Sequence, residues 1–302
     1  MQKNHSYLCL GNVMDGWIIL DKASGLFSKT ASTRAARIFG TKKNGHIGTL
    51  DPMATGVLPV AIGNATKMIP FIEDFCPHIK EYLFSLQFGF ETDSLDITGN
   101  IIARNDTVPS ADVIKAYLPR FVGKTMQTPP LYSAVHIDGR RAYELVRAGR
   151  PPEIPPRQVE IYELEFLGQK ENSWHFRVVC APGTYVRSLA RDIAHACGAL
   201  ATVDMIRRMR TGCFNIENAV KLDFLENLFN NGDDVKEYLA SVDSGLGGIP
   251  VLNLPDKVVG LYKNGGFINW CGTDGTYRVY SGDKFVGIGV VKSGVLRPKR
   301  TI

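Results

Sequence analysis

The sequence lacks the patterns by which several classes of protein are recognised. It has no run of about 18 apolar residues, the length that a membrane-spanning helix needs. Its six cysteines contain no C-x-x-C, and none pairs with a histidine at zinc-ligand spacing. It also has no G-x-G-x-x-G, no P-loop and no H-E-x-x-H. We therefore expect no membrane association, no disulfide framework, no metal site and no organic cofactor.

The composition is that of a globular protein with a mildly basic balance. Of the 302 residues, 44% are hydrophobic and 22% are charged. This length allows one large domain plus a small one, or two of similar size. The net charge of +5 permits a polyanionic partner without requiring one. The widely spaced cysteines predict reduced thiols, and Met1–Leu10 shows no signal-peptide core, so we expect a cytoplasmic protein.

The most informative feature that is present is the run from His46 to Leu58, H-I-G-T-L-D-P-M-A-T-G-V-L, followed by G-N-A-T-K at 63–67. It places the carboxylate of Asp51 in a bend-prone segment with almost no other charge. Such a group either finds a cationic partner or becomes harder to ionise, and both outcomes are typical of catalytic carboxylates. An ordinary Asp-Pro turn with flanking glycines explains the same residues without any chemistry.

The pattern along the chain predicts interleaved strands and helices, and therefore an α/β fold with a mixed sheet. A break at 241–250 precedes short strands separated by glycines, which predicts a second, small β-domain. The predicted elements are a strand at 16–20, a helix at 29–39 with Ser28 as its N-cap, a strand at 82–90, a helix at 110–121 capped by Ser110, a hairpin of 159–168 with 173–180, and a helix at 187–197.

Five segments in a fixed order resemble the TruB family of pseudouridine synthases. They are the run at 46–67 given above, L-D-K at 20–22 with Gly25, K-E-Y at 80–82, G-T-Y-V-R-S-L at 183–189 with Asp192, and the basic segment from Arg207-Arg208 to Thr211-Gly212. Together they cover residues from about 16 to 220. Two departures are Ala23, where the family usually has proline, and Ile206, where it usually has leucine. Neither departure removes a chemical group.

The resemblance implies a specific reaction and architecture. The family converts uridine 55 in the T-loop of tRNA to pseudouridine, an isomerisation that needs no metal or cofactor. The implied fold is a pseudouridine synthase catalytic domain over residues 1–240, with an RNA-clamping insertion at about 128–156. A small PUA-like β-barrel that binds RNA is implied for residues 248–302. The implied partner is the T-arm of tRNA, and we expect a monomer with no obligate protein partner.

The resemblance also assigns three catalytic residues. Asp51 would act as nucleophile at C1' or as base at the ribose 2' position, and the sequence leaves both open. Arg187 would be the ion partner that keeps this carboxylate ionised, although a surface arginine on a helix is the simpler alternative. Tyr82 would stack on the flipped uracil and help to handle the C5 proton, and a plain core tyrosine is its alternative.

Four further residues are candidates for substrate binding. Tyr185 would stack on or hydrogen-bond to the substrate. His46 would contact the RNA near the flipped nucleotide, or merely bond within its loop. Ile206 would form an apolar wall of the uracil pocket, or simply belong to the core. Lys22 would support the fold or bind a phosphate.

Charged segments outside these motifs admit simpler interpretations. Glu91, Asp93 and Asp96 imitate a calcium loop but lack its ligand spacing and closing glutamate, so they predict a solvated turn. Three basic groups are predicted to meet RNA phosphates: Arg207, Arg208 and Arg210; Arg140, Arg141, Arg147 and Arg150; and Arg297, Lys299 and Arg300.

Three rival functions remain open. A non-catalytic RNA-binding protein or tRNA chaperone would use the basic surfaces without Asp51. A nucleoside or glycosidic hydrolase would need a second carboxylate beside the bond, and the motifs offer none. A guide-RNA-dependent subunit would be expected to carry long basic extensions, which the sequence lacks.

Overall fold

The computed structural model describes residues 14–302. Strands and helices are interleaved along this part of the chain, which confirms the predicted α/β class. The strands are β1 (Gly16–Lys22), β2 (Asn44–His46), β3 (Thr55–Ile62), β4 (Lys80–Phe88), β5 (Phe90–Thr92), β6 (Ile101–Arg104), β7 (Gly123–Gln127), β8 (His136–Ile137), β9 (Arg140–Arg141), β10 (Arg157–Lys170), β11 (Ser173–Cys180), β12 (Ala201–Thr211), β13 (Phe214–Asn215), β14 (Val220–Lys221), β15 (Val251–Asn253), β16 (Ile268–Asn269), β17 (Gly275–Ser281), β18 (Lys284–Lys292) and β19 (Val295–Thr301).

The helices are α1 (Ser28–Ile38), α2 (Ile69–Phe75), α3 (Ala111–Tyr117), α4 (Ala142–Arg147), α5 (Val186–Ala196), α6 (Leu222–Asn231) and α7 (Asp256–Lys263). Among the described residues, none of these helices has the length and apolar character needed to cross a membrane. The five cysteines within residues 14–302 are free thiols, and the predicted thiol of Cys9 lies outside the described residues.

The described chain forms two compact units. The first unit comprises Met1–Leu50, described from Met14 onward, together with Leu58–Pro77 and Glu217–Ile302. The second unit comprises Asp51–Val57 and His78–Ile216. The predicted domains, 1–240 and 248–302, divide the chain differently and remain a prediction.

The second unit contains a sheet in which the first residues of β3 lie beside β12, followed by β4, β11, β10 and β7. β12 runs parallel to β3 and antiparallel to β4, so the basic segment of β12 pairs with the residues that follow Asp51. Helix α5 packs on β12 and β4 through its apolar face. Within the core, the rings of Phe84 and Phe176 stack at a centroid distance of 5.2 Å. The sheet therefore brings the segment after Asp51, the basic segment of β12 and the strand of Tyr82 next to one another.

The first unit contains the strand order β14, β1, β3, with β2 paired to β3. A separate five-stranded sheet has the order β15, β17, β18, β19, β16. It curls into a half-barrel around an apolar cluster that includes Tyr262, Val279 and Leu296. This sheet is consistent with the predicted PUA-like β-domain.

Most of the predicted elements are present. β1, β4, the β10–β11 hairpin and α5 match their predicted ranges closely, and the Oγ of Ser110 accepts a hydrogen bond from the Val113 amide, as expected of an N-cap. The predicted cap at Ser28 is wrong, because Phe27 occupies the N-cap position and makes no side-chain cap bond. Ser28 instead donates to the carbonyl of Leu50 at 2.9 Å and accepts from its amide at 3.0 Å. It thereby fixes the backbone of the residue that precedes Asp51.

Candidate active site

Asp51 lies in the short turn between Leu50 and β3. Its carbonyl accepts a hydrogen bond from the amide of Ala54 at 3.1 Å, which closes the turn that Pro52 favours. The side chain is 38% exposed, and its Oδ2 lies 2.8 Å from Nε of Arg187. The carboxylate is therefore both reachable from solvent and held beside a fixed positive charge.

Arg187 is in the first turn of α5, and its side chain is only 4% exposed. Its Nη1 donates to the carbonyl of Ser94 at 2.7 Å, and its Nη2 donates to the carbonyl of Tyr132 at 3.0 Å. The Nε group is close to Asp51 but makes no hydrogen bond of acceptable angle, so this contact is chiefly Coulombic. Because the guanidinium is buried and fixed at both ends, the surface-arginine alternative does not describe it.

A second carboxylate, that of Asp96, lies near Nη1 of the same arginine. Its Oδ2 is 3.6 Å from Nη1 of Arg187, and its Oδ1 accepts hydrogen bonds from Ser94 and Thr98. Leu95, which precedes it, has φ of +63°, a left-handed conformation that is unfavourable for leucine. The predicted solvated turn is wrong here, because Asp96 is buried. The carboxylate compensates part of the cost of burying the Arg187 charge.

Tyr82 is a buried residue of β4 whose hydroxyl is hydrogen-bonded to Arg208. Burial raises the pKa of Tyr82, the charge and hydrogen bond of Arg208 oppose that rise, and the charge of Asp51 adds to it. The hydroxyl is therefore protonated at neutral pH. This position fits both interpretations of Tyr82, a group that handles a proton and a plain core residue.

Arg208 itself was predicted to meet RNA phosphates, and the structure shows that this is wrong. The residue is 0% exposed, and its Nε donates to the carbonyl of Val57 at 2.7 Å. Alternation in β12 explains the result: successive side chains of a strand point to opposite faces, so Arg208 is buried while Arg207 stays partly exposed.

Tyr185 and Ile206 complete the candidate residues of the second unit. Tyr185 occupies the N-cap position of α5, where its side chain makes no cap hydrogen bond. Its backbone amide donates to Oε1 of Gln127 at 2.8 Å. The guanidinium of Arg157 lies 4.8 Å from the centroid of its ring. Ile206 is buried in β12, and its carbonyl accepts a hydrogen bond from Oγ1 of Thr55 at 3.3 Å. Both of its predicted alternatives, pocket wall and core residue, remain open.

The remaining two candidates, Lys22 and His46, belong to the first unit. Lys22 is buried, and its Nζ donates to the carbonyls of Ala23 at 2.9 Å and Leu26 at 2.8 Å, which favours its predicted role in supporting the fold. His46 is half-buried, and its Nε2 lies 3.2 Å from Oγ1 of Thr49. The structure thus joins Asp51 to Arg187 and Asp96 by ion pairs, and it pairs Tyr82 with Arg208 in neighbouring strands of the same unit. It places Lys22 and His46 in the other unit.

The other basic groups are largely at the surface. Arg140, Arg141, Arg147 and Arg150 are all exposed, on and around the short β8–β9 hairpin and α4. The guanidinium of Arg147 lies 5.6 Å from the ring centroid of Tyr143. Within residues 14–302, no cluster of three or more His, Cys, Asp or Glu side chains is arranged to hold a metal ion.

Three family models match the chain in succession. Residues 36–186 match the model described as TruB family pseudouridylate synthase, N-terminal domain. Residues 187–246 match the tRNA pseudouridylate synthase B C-terminal domain, and residues 250–302 match the model for pseudouridine synthase II TruB, C-terminal. This chain belongs to the TruB family. It is accordingly a pseudouridine synthase, an isomerase, as the sequence resemblance predicted.

Individual TruB relatives cover almost the whole chain. The tRNA pseudouridine synthase B of Gluconacetobacter diazotrophicus is 36% identical over 304 residues, which are 97% of this chain and 98% of the relative. That of Francisella philomiragia is 39% identical over 290 residues, 95% and 94% of the two chains. A crystal structure of a Cbf5-Nop10-Gar1 complex contains a chain of similar fold, with a TM-score of 0.67 and 24% identity over 95% of this chain and 84% of that one. At this level of identity the structural likeness shows the fold alone.

The sequence does not indicate a role in this site for two residues, Asp96 and Arg208. Glu91, Asp93 and Asp96 lack the ligand spacing of a calcium loop and therefore predict a solvated turn, and Arg208 stands among basic neighbours. The available signal for Arg208 was its position: with Ile206 facing the core, period-2 alternation places residue 208 on the same face. For Asp96 the sequence offered no comparable signal.

Proposed function

We propose that this chain converts uridine 55 in the T-loop of tRNA to pseudouridine. The observation that carries the proposal is the ion pair between the half-exposed Asp51 and the buried Arg187 in a member of the TruB family. Its full-length relatives bear the name tRNA pseudouridine synthase B, which supports tRNA as the substrate. The target position rests on the motif resemblance.

The geometry supports a central role for Asp51 in the reaction. The C1'–N1 bond breaks, the uracil turns, and a C1'–C5 bond forms; C5 loses a proton and N1 gains one. Asp51 attacks C1' as nucleophile or removes the 2' proton as base, and both roles need an ionised carboxylate that the substrate can reach. Arg187 supplies a positive charge from the protein side, so the exposed carboxylate oxygens remain available to the ribose.

The neighbouring residues provide a place for an extruded base. Tyr82 lies opposite Arg208, which pairs with Gly56 in the segment that follows Asp51. The Tyr185 ring, at the start of the helix that carries Arg187, is half-buried. A flipped base that loses its stacking partners is stabilised by aromatic and apolar side chains. We assign this role to Tyr82 and Tyr185, with Ile206 as the apolar wall.

Binding of the folded RNA is assigned to exposed basic residues outside this network. Arg140, Arg141, Arg147 and Arg150 lie in the predicted clamping insertion, 128–156. We further propose a cytoplasmic monomer that acts on the T-arm without metal, cofactor or protein partner, with a catalytic domain at 1–240 and an RNA-binding domain at 248–302. The family-model boundary between residues 246 and 250 supports this division.

The test is the reaction itself. Purified wild type, Asp51→Asn and the control Asp106→Asn, at an exposed position, are incubated with an unmodified tRNA transcript, and pseudouridine is mapped by chemical probing. We expect conversion at position 55 by wild type and the control, and a loss of at least about 100-fold in Asp51→Asn. Conversion by Asp51→Asn would contradict the assigned nucleophile or base. Release of free uracil would indicate a hydrolase, and RNA binding without conversion would indicate a chaperone.

A further inference from the structure

Arg208 and Tyr82 lie directly opposite each other in neighbouring strands. They are Cα partners in the antiparallel pairing of β12 with β4, so their side chains project from the same face of the sheet. Both are buried, Arg208 completely. A charged side chain loses its hydration when it is buried, which is unfavourable unless other groups compensate for the loss. If position 208 only had to fill space in the core, an apolar side chain would stabilise the fold more than a buried arginine.

The backbone around Arg208 connects the segment that follows Asp51 with the strand that contains Tyr82. Arg208 pairs in parallel with Gly56, in the segment that follows Asp51, and its Nε holds the carbonyl of the next residue, Val57. A Cβ atom at Gly56 would lie 2.2 Å from the carbonyl oxygen of Arg208, so the two backbones are in direct contact. Arg208 therefore joins the Asp51 segment to the strand of Tyr82.

The direction of the Tyr82–Arg208 hydrogen bond follows from the chemistry of the two groups. A guanidinium has only donors, so the tyrosine oxygen is the acceptor. With one lone pair engaged by Arg208, the hydroxyl proton of Tyr82 points elsewhere. If Tyr82 loses this proton, the resulting phenolate keeps a charge-assisted hydrogen bond to a buried cation.

From this geometry we infer that Arg208 is a positioning residue that fixes the Tyr82 hydroxyl and stabilises its phenolate while Tyr82 carries a proton from C5 to N1 of the uracil. This rests on the proposed function. Tyr82 gives its proton to N1 after the C1'–N1 bond has broken. Once the C1'–C5 bond has formed, the C5–H bond breaks, its electron pair restores the C5–C6 double bond, and the phenolate takes the proton. Tyr82 ends as it began, and no proton is gained or lost overall.

The electrostatics of the two side chains agree with such a transient role. Burial keeps Tyr82 protonated at rest, and the Arg208 charge lowers the cost of the phenolate when it forms. Burial lowers the pKa of Arg208, while Tyr82 opposes that change. Each side chain therefore favours the ionised form of the other.

A double-mutant cycle tests the inference. Single-turnover rates of pseudouridine formation are measured for wild type, Tyr82→Phe, Arg208→Lys, Arg208→Gln, Tyr82→Phe/Arg208→Lys and Tyr82→Phe/Arg208→Gln. We expect Arg208→Gln to lose roughly 10- to 100-fold, as for a lost charge-assisted hydrogen bond, and Arg208→Lys to retain an intermediate rate. Each double variant should be no slower than Tyr82→Phe alone. Losses that multiply would overturn the inference, because they would show that Arg208 acts independently of Tyr82.

A second readout separates positioning from general damage to the fold. With a tRNA that carries deuterium at C5 of uridine 55, the isotope effect should be larger in Arg208→Lys than in wild type, because the proton step has become slower. An unchanged isotope effect would overturn the inference. Arg177→Gln, which removes an arginine ion-paired to Glu81 and Glu163 in the same sheet, is the control and should leave the isotope effect unchanged.

The outcomes distinguish this inference from the proposed function. Melting temperature and tRNA affinity are measured for every variant, and if Arg208→Gln does not fold, the cycle with Arg208→Lys decides. If the wild type forms pseudouridine and the rate losses of the single variants multiply in the double variants, the inference is overturned and the proposed function stands. A wild type that forms none overturns the proposed function, and the inference with it.

Discussion

Arg187 carries a carboxylate at each end of its guanidinium. Asp51 lies at Nε and is reachable from solvent, whereas Asp96 lies at Nη1 and is buried. The two carboxylates therefore have different tasks: one is available to a substrate, and the other helps to hold the arginine. Hydrogen bonds from Ser94 and Thr98 occupy Oδ1 of Asp96, so it is not a free second acid of the kind that a glycosidic hydrolase requires.

Replacement of Asp96 by asparagine tests this division of tasks. The change preserves the shape of the side chain and removes the charge beside Arg187. We expect the turnover of tRNA to fall by about 10- to 100-fold, because a displaced guanidinium no longer fixes Asp51, while tRNA affinity stays the same. Single-turnover kinetics and filter binding measure the two quantities. Asp93→Asn, in the same turn, is the matched control, and an equal loss there would contradict the assigned role.

At the scale of elements, β3 approaches β12 so closely that only glycine is accommodated at position 56. Gly56 has φ of +98°, and its missing Cβ would lie 2.2 Å from the Arg208 carbonyl oxygen. Gly123, at the start of β7, has a similar φ of +94° but nothing within 4 Å of the corresponding position. A substitution at Gly123 therefore introduces backbone strain alone, whereas a substitution at Gly56 introduces both backbone strain and a steric clash.

We expect Gly56→Ala to destabilise the protein by about 3 kcal/mol or more, since backbone strain and overpacking add. Gly123→Ala should cost about 1–2 kcal/mol, from the backbone conformation alone. Denaturant unfolding measures both changes. Equal losses at the two positions would show that the contact between β3 and β12 is not as close as the structure describes.

At the scale of the whole molecule, a polar network around the buried Asp243 joins the segment before residue 250 to the C-terminal sheet. Oδ2 of Asp243 accepts hydrogen bonds from Arg278, at 2.9 Å, and from Tyr280, and Oδ1 accepts one from Ser241. Burial raises the pKa of Asp243, but the bonds from Tyr280, Arg278 and Ser241 outweigh it, so the net shift is downward. Burial, together with the bond to Asp243, raises the pKa of Tyr280 to about 12.

This network predicts a pH-dependent stability. A lowered pKa means that the stabilising contribution of Asp243 is complete above its unfolded value, about 3.9, and is lost as the pH falls through the folded value. We therefore expect Asp243→Asn to lower the melting temperature at pH 6–8 and to differ less from wild type at acidic pH, where Asp243 is protonated as well. Melting curves at a series of pH values provide the measurement. Asp283→Asn, at an exposed position, should follow wild type throughout.

Local sequence determined the elements and, through its motifs, the family. The alternation in β10 and β11, the Ser110 cap and the apolar face of α5 arise from interactions between residues close together in the chain, so periodicity and capping chemistry predict them. Asp51, Tyr82 and Arg187 were recognisable because they stand in contiguous motifs. The TruB family assignment confirmed that resemblance.

Tertiary structure alone decided which polar side chains are buried and which residues they contact. Ser28 holds Leu50 instead of capping its helix, Asp96 holds Arg187 instead of facing water, and Arg208 meets Tyr82 instead of a phosphate. Each of these contacts joins segments far apart in the sequence, and a short polar segment has the same composition whether it is solvated or buried. Burial depends on the register of strand pairing and on what packs above the sheet, and these are set by the free energy of the whole fold.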